Sequence, residues 1–284
     1  MTVEEVKELY AEEVSLLKVL HKYCEEQPQE NLDRIEKVTL LLLHRVLANL
    51  YSASILTLYA LRKNKMPFFQ LPIGIILRCT FTDCLFALYI QRSDKERALE
   101  ELDIRTIEYA NSLLERREVY RDQVKSTGMG FDDGFIDHLW ELAMEDNFLN
   151  LLTLDMKNGN MEVSKQSKSQ LQESGFSKSK SVGIKEQKDF LITQEGLADV
   201  TTRLYHYYKY FSQYEHFSEN GQGDVLVSSE DGNDNIHFPS AIRTLRAAVE
   251  EVRGKMEEVR GKKEEGRCKR EEVGLTKTKT ITKS

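Results

Sequence analysis

Apolar side chains recur along most of the chain at intervals of three and four residues, the spacing of one face of an α-helix. Polar and loop-forming residues interrupt this pattern at a few places. The predicted helices cover residues 3–24, about 33–63, 72–91, 93–128, 132–154 and 186–217, with a last helix opened by Pro239. The pattern therefore predicts an all-α protein, a bundle of about seven helices.

Several predicted helix ends carry residues that favour those positions. Asn31 or Asp33 can cap the second helix, because either side chain accepts a hydrogen bond from a free backbone N–H. Pro72 suits the first turn of the third helix, where a missing amide hydrogen leaves no bond unmade. Ser93 and Glu96 have the spacing of a capping box, which predicts the start of the fourth helix.

Two segments lack the helical pattern. Residues 157–186 are rich in Ser and Lys and poor in apolar residues, so burial cannot offset the entropy of ordering, and we expect a mobile insertion. Residues 250–270 repeat a charged unit of seven residues, Glu-Glu-Val-Arg-Gly-Lys-Met in its first copy, with too few apolar positions for a coiled coil. We therefore predict a single helical domain over residues 1–249 and a frayed or disordered charged tail over residues 250–284.

The charge distribution bears on the choice of partner. The chain has a formal net charge of −7, and residues 1–249 carry 29 basic against 39 acidic groups. An acidic body argues against binding to nucleic acid or anionic membranes by charge alone, since both need a positive field. No motif in the sequence supports sequence-specific DNA binding.

Cysteine usage indicates the compartment. Cys24, Cys79, Cys84 and Cys268 have neither Cys-x-x-Cys spacing nor paired histidines suited to zinc. We expect free thiols in a reducing cytoplasm, no secretory signal, no metal and no cofactor.

A two-span membrane protein is an alternative. Residues 38–61 and 71–90 are apolar enough to cross a bilayer, and a basic stretch separates them. Arg45, Arg78 and Asp83 argue against it, because a charge at the centre of a span costs about 2.5–3.5 kcal/mol. We expect these two segments to form the core of a soluble bundle instead.

The sixth predicted helix carries the residues best suited to chemistry. At 100° per residue, one stripe is apolar and aromatic and is expected to face the core: Val200, Leu204, Tyr207, Phe211 and Tyr214. Polar residues share the other side within about 120° of arc: Thr202, His206, Lys209, Ser212, Gln213 and His216. Ser212, His216 and Lys209 are the candidate catalytic residues, because an imidazole beside a hydroxyl and an ammonium can serve as a general base. Solvated surface residues are the alternative.

Arg78 and Asp83 lie within an apolar run of the third helix. A buried charge must be paired or serve a function, because an isolated one is too costly. Structural pairing is one hypothesis. The other is that Arg78 meets the face carrying Ser212 and His216 in a pocket between helices, where its guanidinium could bind a phosphate or carboxylate.

The Tyr-x-x-x-Ser-x-x-x-His pattern of Tyr208, Ser212 and His216 resembles the signature of an uncharacterised family of bacterial helical proteins distantly similar to HEPN domains. Arg78 followed by Asp83 is similar to that family's earlier helix. The resemblance implies a helical bundle, often a homodimer, that acts on RNA in prokaryotic defence or stress systems. The Arg-x4-6-His motif of HEPN ribonucleases is not matched by Arg203, which precedes His206 by three residues. A non-catalytic helical interaction protein is the competing hypothesis.

Overall fold

A computed structural model describes residues 2–27, 32–63, 66–102, 104–105, 119, 122, 154–157, 160–163, 181–212 and 237–281. The chain forms two compact units, one of residues 1–94 and 183–284 and the other of residues 95–182. The sequence predicts one domain over residues 1–249, and the structure divides that range because residues 95–182 contact mainly one another.

The first unit is built from six described helices. They are α1 (Val3–Glu26), α2 (Arg34–Lys63), α3 (Met66–Arg92), α5 (Ile184–Leu191), α6 (Ala198–Ser212) and α7 (Phe238–Ile281). In the second unit, α4 is described over residues 95–102 and 104–105. The predicted all-α class is confirmed.

The second unit also contains a short hairpin, which was not among the predicted elements. Strands β1 (Leu154–Lys157) and β2 (Asn160–Val163) pair antiparallel, with Leu154 opposite Val163. The hairpin occupies the start of the predicted mobile insertion. Leu154, the last residue of the helix predicted over 132–154, lies in β1 instead, and residues 132–153 are outside the described residues. The rest of the insertion up to residue 180 is also outside them.

Capping side chains explain where the first two helices begin. Thr2 and Glu5 form a reciprocal capping box on α1, each bonding the other's backbone N–H. Asp33 and Glu36 do the same on α2, at 3.0 and 2.8 Å, which selects Asp33 over Asn31 as the cap. Each pair satisfies N–H groups that would otherwise lack a partner.

The predicted start of α3 at Pro72 is wrong. The helix begins at Met66, so Pro72 lies inside it. An interior proline costs a helix about 3 kcal/mol, because it removes a backbone hydrogen bond and clashes with the preceding turn. Ile73 and Leu77 are fully buried just after it, and their burial stabilises this part of α3 against that cost.

The predicted sixth helix, residues 186–217, is two helices. Residues 192–197 form turns between α5 and α6, and Gly196 has a φ of 77°. This left-handed conformation is strained for residues with a Cβ and open to glycine. The helical spacing of apolar residues continues across Gly196, so it does not indicate the break between α5 and α6.

The core lies along α3, as predicted. Phe81, Leu85 and Tyr89 are fully buried on this helix, and Leu43, Val46 and Leu50 are buried on α2. Both helices are long and apolar enough to cross a membrane, but the most apolar part of α3 is 72% buried within the protein and that of α2 is 44% buried. Thus α3 is a central helix, whereas α2 leaves much of one side uncovered.

Helix α7 extends well into the predicted tail. Val252 and Met256 are fully buried, and the Tyr23 hydroxyl donates to Met256 Sδ at 3.4 Å. Beyond Met256, the described side chains up to residue 265 are exposed or half-buried, so the charged repeat is largely solvated. The backbone from Met256 to Lys263 is helical, and Lys263 bonds Asp33 and Glu36 at the start of α2.

Candidate functional site

Aromatic packing fixes α6 against α3. The Phe81 ring of α3 stacks on the rings of Tyr207 and Phe211 of α6, with centroids 5.5 and 5.8 Å apart. Val200, Leu204 and Phe211 are buried, and Tyr207 is half-buried. The predicted core stripe is therefore confirmed for these residues, whereas Tyr214 lies outside the described ones. This packing sets which α6 side chains lie beside α3.

Arg78 of α3 is held by two residues of α6. Its Nε donates to Ser212 Oγ at 3.1 Å, and its guanidinium carbon lies 5.5 Å from the centroid of the Tyr208 ring. The Ser212 hydroxyl donates in turn to the Tyr208 carbonyl at 2.7 Å. Because that hydroxyl hydrogen is used by the backbone, Ser212 in this arrangement orients Arg78 and is not activated as a nucleophile.

Two tyrosines and a lysine share this side of α6 with Ser212. Tyr205, Tyr208, Lys209 and Ser212 follow the i, i+3, i+4, i+7 spacing of one helix face. The Tyr205 and Tyr208 rings are half-buried with centroids 6.0 Å apart, and Lys188 Nζ lies 5.7 Å from the Tyr205 centroid. We call these four residues the tyrosine face. Both of its rings have a cation beside them.

The other predicted polar residues of this helix are placed differently. His206 is exposed and meets the Tyr207 ring edge-on. Arg203 pairs with Asp199 one turn away on the same helix. Gln213 and His216 lie outside the described residues. The structure thus brings Arg78 together with Ser212 and leaves the position of His216 undescribed.

Asp83 has a different partner from Arg78. Its carboxylate lies 3.2 Å from Arg45 on α2, and its side chain is only 6% exposed. Burial raises the pKa of Asp83 to about 6, and the charge of Arg45 opposes that shift. The two residues lie about 140° apart around α3, so each meets a different neighbouring helix. Asp83 therefore belongs to the α2–α3 contact and not to the tyrosine face.

Glu13 is a buried acid that was not among the residues predicted to have a function. Glu13 is fully buried, and Thr57 of α2 donates to its Oε1 at 3.2 Å. Burial raises the pKa of Glu13 to about 8, so the side chain is largely protonated at neutral pH. Its spacing from Leu9 and Leu16 on the apolar stripe of α1 is the signal that could have revealed it.

No protein-family model, curated protein or solved structure matches this chain. Across the part of the chain that the structure describes, no three His, Cys, Asp or Glu side chains converge as metal ligands would. The functional interpretation therefore rests on the arrangement of Arg78 and the tyrosine face.

Proposed function

We propose that this protein binds single-stranded RNA at the tyrosine face, with Arg78 holding a phosphate. The observation that carries the proposal is the position of the Arg78 guanidinium, fixed by Ser212 and the Tyr208 ring. A guanidinium binds phosphate oxygens through paired N–H donors, and an oriented one loses less conformational entropy on binding.

The neighbouring residues suit an unpaired strand. Half-buried tyrosine rings can stack on bases that are not paired, and this stacking contributes about 1–3 kcal/mol per base. Exposed Lys209 supplies a second positive charge on the same face. Because the chain as a whole carries a net charge of −7, attraction of RNA depends on these local cations.

A stronger version of this proposal is that the protein also cleaves the RNA that it binds. It requires a general base near the bound phosphodiester, and His216, four residues beyond Ser212, is the candidate. The resemblance of Tyr208, Ser212 and His216 to a HEPN-like signature supports this form, together with a cytoplasmic role in prokaryotic defence or stress.

Binding is tested by fluorescence anisotropy with a short labelled single-stranded RNA. We expect Arg78→Gln and Lys209→Gln each to weaken binding about tenfold, which corresponds to ~1.4 kcal/mol. Arg203→Gln is the matched control, because it also removes a cation from α6 but lies outside the tyrosine face. Lys209 is exposed, so its substitution leaves the fold intact. Equal affinity of all four proteins would contradict the proposal.

Cleavage is tested separately with His216→Ala. If the protein cleaves RNA, this variant should lose RNA degradation and any toxicity on overexpression while it keeps RNA affinity. Binding without degradation by the natural sequence would limit the function to RNA binding.

A non-catalytic interaction protein is the second candidate, favoured by the uncovered side of α2. Leu41, Tyr51 and Ile55 are 62, 61 and 50% exposed. The two-span membrane alternative is opposed by the contacts of Arg78 with Ser212 and of Asp83 with Arg45, because both charged side chains of α3 have polar partners within the first unit. Recovery of the expressed protein only with detergent would support the membrane alternative instead.

A further inference from the structure

A serine, a histidine and a glutamate meet where α7 begins beside α1. The His237 Nδ1 lies 2.9 Å from Ser240 Oγ, one turn further along the chain. The His237 Nε2 lies 3.5 Å from the carboxylate of Glu8 on α1. We call these three residues the α7 triad. They stand in the order hydroxyl, imidazole, carboxylate, which is the order of the catalytic groups in serine hydrolases.

The carboxylate of Glu8 determines which imidazole nitrogen carries the hydrogen. A carboxylate only accepts hydrogen bonds, so the Nε2 that faces Glu8 carries the hydrogen in the neutral imidazole. The Nδ1 lone pair then accepts from the Ser240 hydroxyl. The contact of 3.5 Å is longer than a direct hydrogen bond, as catalytic contacts often are before substrate binds. In this tautomer His237 can act as a general base for Ser240.

The first turn of α7 and an ion pair hold the α7 triad in place. The Ser240 backbone N–H donates to the His237 carbonyl at 2.9 Å. Phe238, between them, is 2% exposed, so this turn is anchored in the core. Glu8 also bonds Arg243 of α7, which keeps the carboxylate beside the start of that helix. Groups held in this way lose little entropy on reaching a reactive geometry.

The hydroxyl of Tyr207 adds a hydrogen-bond donor beside the serine. Burial raises the pKa of Tyr207, and a hydrogen bond with Ser240 opposes that shift. The phenol is therefore protonated at neutral pH and can donate to an oxygen that becomes negative next to Ser240. The two cations that interact with this hydroxyl, Arg203 and Arg243, are each bound to carboxylates. A neutral donor suits a carbonyl oxygen, whereas phosphate binding favours a free cation.

The α7 triad is accessible to a substrate. The side chains of His237 and Glu8 are 38 and 41% exposed, and Ser240 is half-buried. The Ser240 hydroxyl is bonded by the side chains of His237 and Tyr207. The Ser212 hydroxyl, in contrast, donates to a backbone carbonyl. Ser240 is therefore the serine placed for activation by an imidazole.

We propose that the α7 triad hydrolyses carboxylic esters, with Ser240 as the nucleophile. The Ser240 oxygen bonds to the carbonyl carbon while its proton passes to His237 Nδ1. The bond from that carbon to the alkoxy oxygen then breaks, and His237 gives the proton to the leaving alcohol. Water attacks the acyl-serine in the same way, which releases the carboxylic acid and restores Ser240. Glu8 is a positioning residue that orients the imidazole and stabilises its charged form.

The α7 triad shares no residue with Arg78 or the tyrosine face. The proposal therefore goes beyond RNA binding and can fail independently of it. Ser240→Ala should abolish ester hydrolysis and keep RNA affinity.

The first test is covalent labelling of the full chain with a fluorophosphonate, which reacts with an activated serine and loses fluoride. Mass spectrometry should find the label on Ser240, and Ser240→Ala should abolish it. His237→Asn should slow labelling about 100-fold, the scale of general base catalysis. Asparagine favours the position before a helix, so this variant keeps the start of α7. Ser52→Ala is the matched control, because the Ser52 hydroxyl donates to a backbone carbonyl at 3.0 Å, and it should label like the natural sequence.

Hydrolysis of p-nitrophenyl acetate tests the role of Glu8. Glu8→Gln should lower kcat at least tenfold and move the rise of kcat with pH to lower pH, because a neighbouring carboxylate raises the pKa of an imidazole. Glu12→Gln is the control, because it removes the other carboxylate that binds Arg243, one turn along α1, and it should leave the pH profile unchanged.

Three results would each overturn the proposal. The first is no label on Ser240, or equal labelling rates for the natural sequence and His237→Asn. The second is ester hydrolysis that Ser240→Ala leaves intact. The third is a pH profile that Glu8→Gln does not move.

Discussion

Glu13 makes the stability of this protein depend on pH. The carboxyl group is fully buried, and its pKa is raised from 4.5 to about 8 by burial. A group whose pKa is higher in the folded state stabilises the protein fully below its unfolded pKa, and that contribution is lost as pH rises through the folded pKa. The free energy of unfolding should therefore fall between about pH 4.5 and 8, by up to about 1.4 kcal/mol per pH unit.

Glu13→Gln tests this at the level of one residue. The amide keeps the shape and the contact with Thr57 but cannot ionise, so the fall in stability over this pH range should become shallower. Urea unfolding at several pH values measures it. Asp83, with a pKa raised to about 6, contributes in the same direction, so the comparison is the difference between the two proteins. Identical pH profiles would show that Glu13 ionises in the folded protein as it does in water.

Single residues also show that contacts between helices cannot be predicted from the sequence alone. The stripe position of Glu13 indicates burial, but its partner Thr57 lies on another helix, and only packing brings the two together. The same holds for Arg78, whose contact with Ser212 spans 134 residues. The sequence indicates that these charged residues need partners, because an unpaired buried charge is costly, but it does not identify the partner residues.

At the scale of elements, periodicity predicts α1, α2 and the core face of α6 well, because each has an apolar stripe that must be buried. It fails at the break between α5 and α6 and at the start of α3. Gly196 and Pro72 are both compatible with more than one local structure, and the surrounding packing decides between them. The strands of the β1–β2 hairpin do alternate between apolar and polar residues, and Asn158-Gly159 stands between them, which is a hairpin signal. The signal was missed because each strand has only four residues and the pair lies between a helical pattern and a Ser- and Lys-rich segment.

Two glycines of different conformation provide a matched prediction. Gly254 is exposed in helix α7 with open space around its Cα, so Gly254→Ala should raise the free energy of unfolding by about 0.5–1 kcal/mol. Gly196 also has open space, but its φ of 77° strains any residue with a Cβ, so Gly196→Ala should lower stability by about 1 kcal/mol. Urea denaturation measures both. Changes of the same sign would contradict the backbone assignment at one of the two positions.

At the scale of the whole molecule, α7 ties the C-terminal segment to the first unit. Composition predicts a solvated tail from residue 250, whereas Val252 and Met256 are buried and Arg253 lies over the Tyr23 ring at 4.7 Å. These contacts are difficult to predict from the charged repeat, because two apolar residues in two helical turns give only a weak amphipathic pattern. The division of the chain into two units is likewise a property of long-range contacts.

Truncation locates the end of the packed region. A chain ending at residue 265 should unfold at the same temperature as the full chain. A chain ending at residue 249 loses Val252 and Met256, and each fully buried side chain contributes about 1.5–3 kcal/mol. Thermal unfolding followed by circular dichroism should therefore show a clear fall for the shorter chain alone. Equal midpoints for both truncations would mean that α7 does not stabilise the fold beyond residue 249.

The claim that Arg78 binds an RNA phosphate is tested most directly by the salt dependence of binding. Each phosphate contact to a single strand contributes about 0.7 to the slope of log affinity against log salt concentration. Anisotropy titrations over a range of salt concentrations should give Arg78→Gln a slope shallower by about this amount, with Arg203→Gln unchanged. A slope for Arg78→Gln equal to that of the natural sequence would contradict a phosphate contact at Arg78.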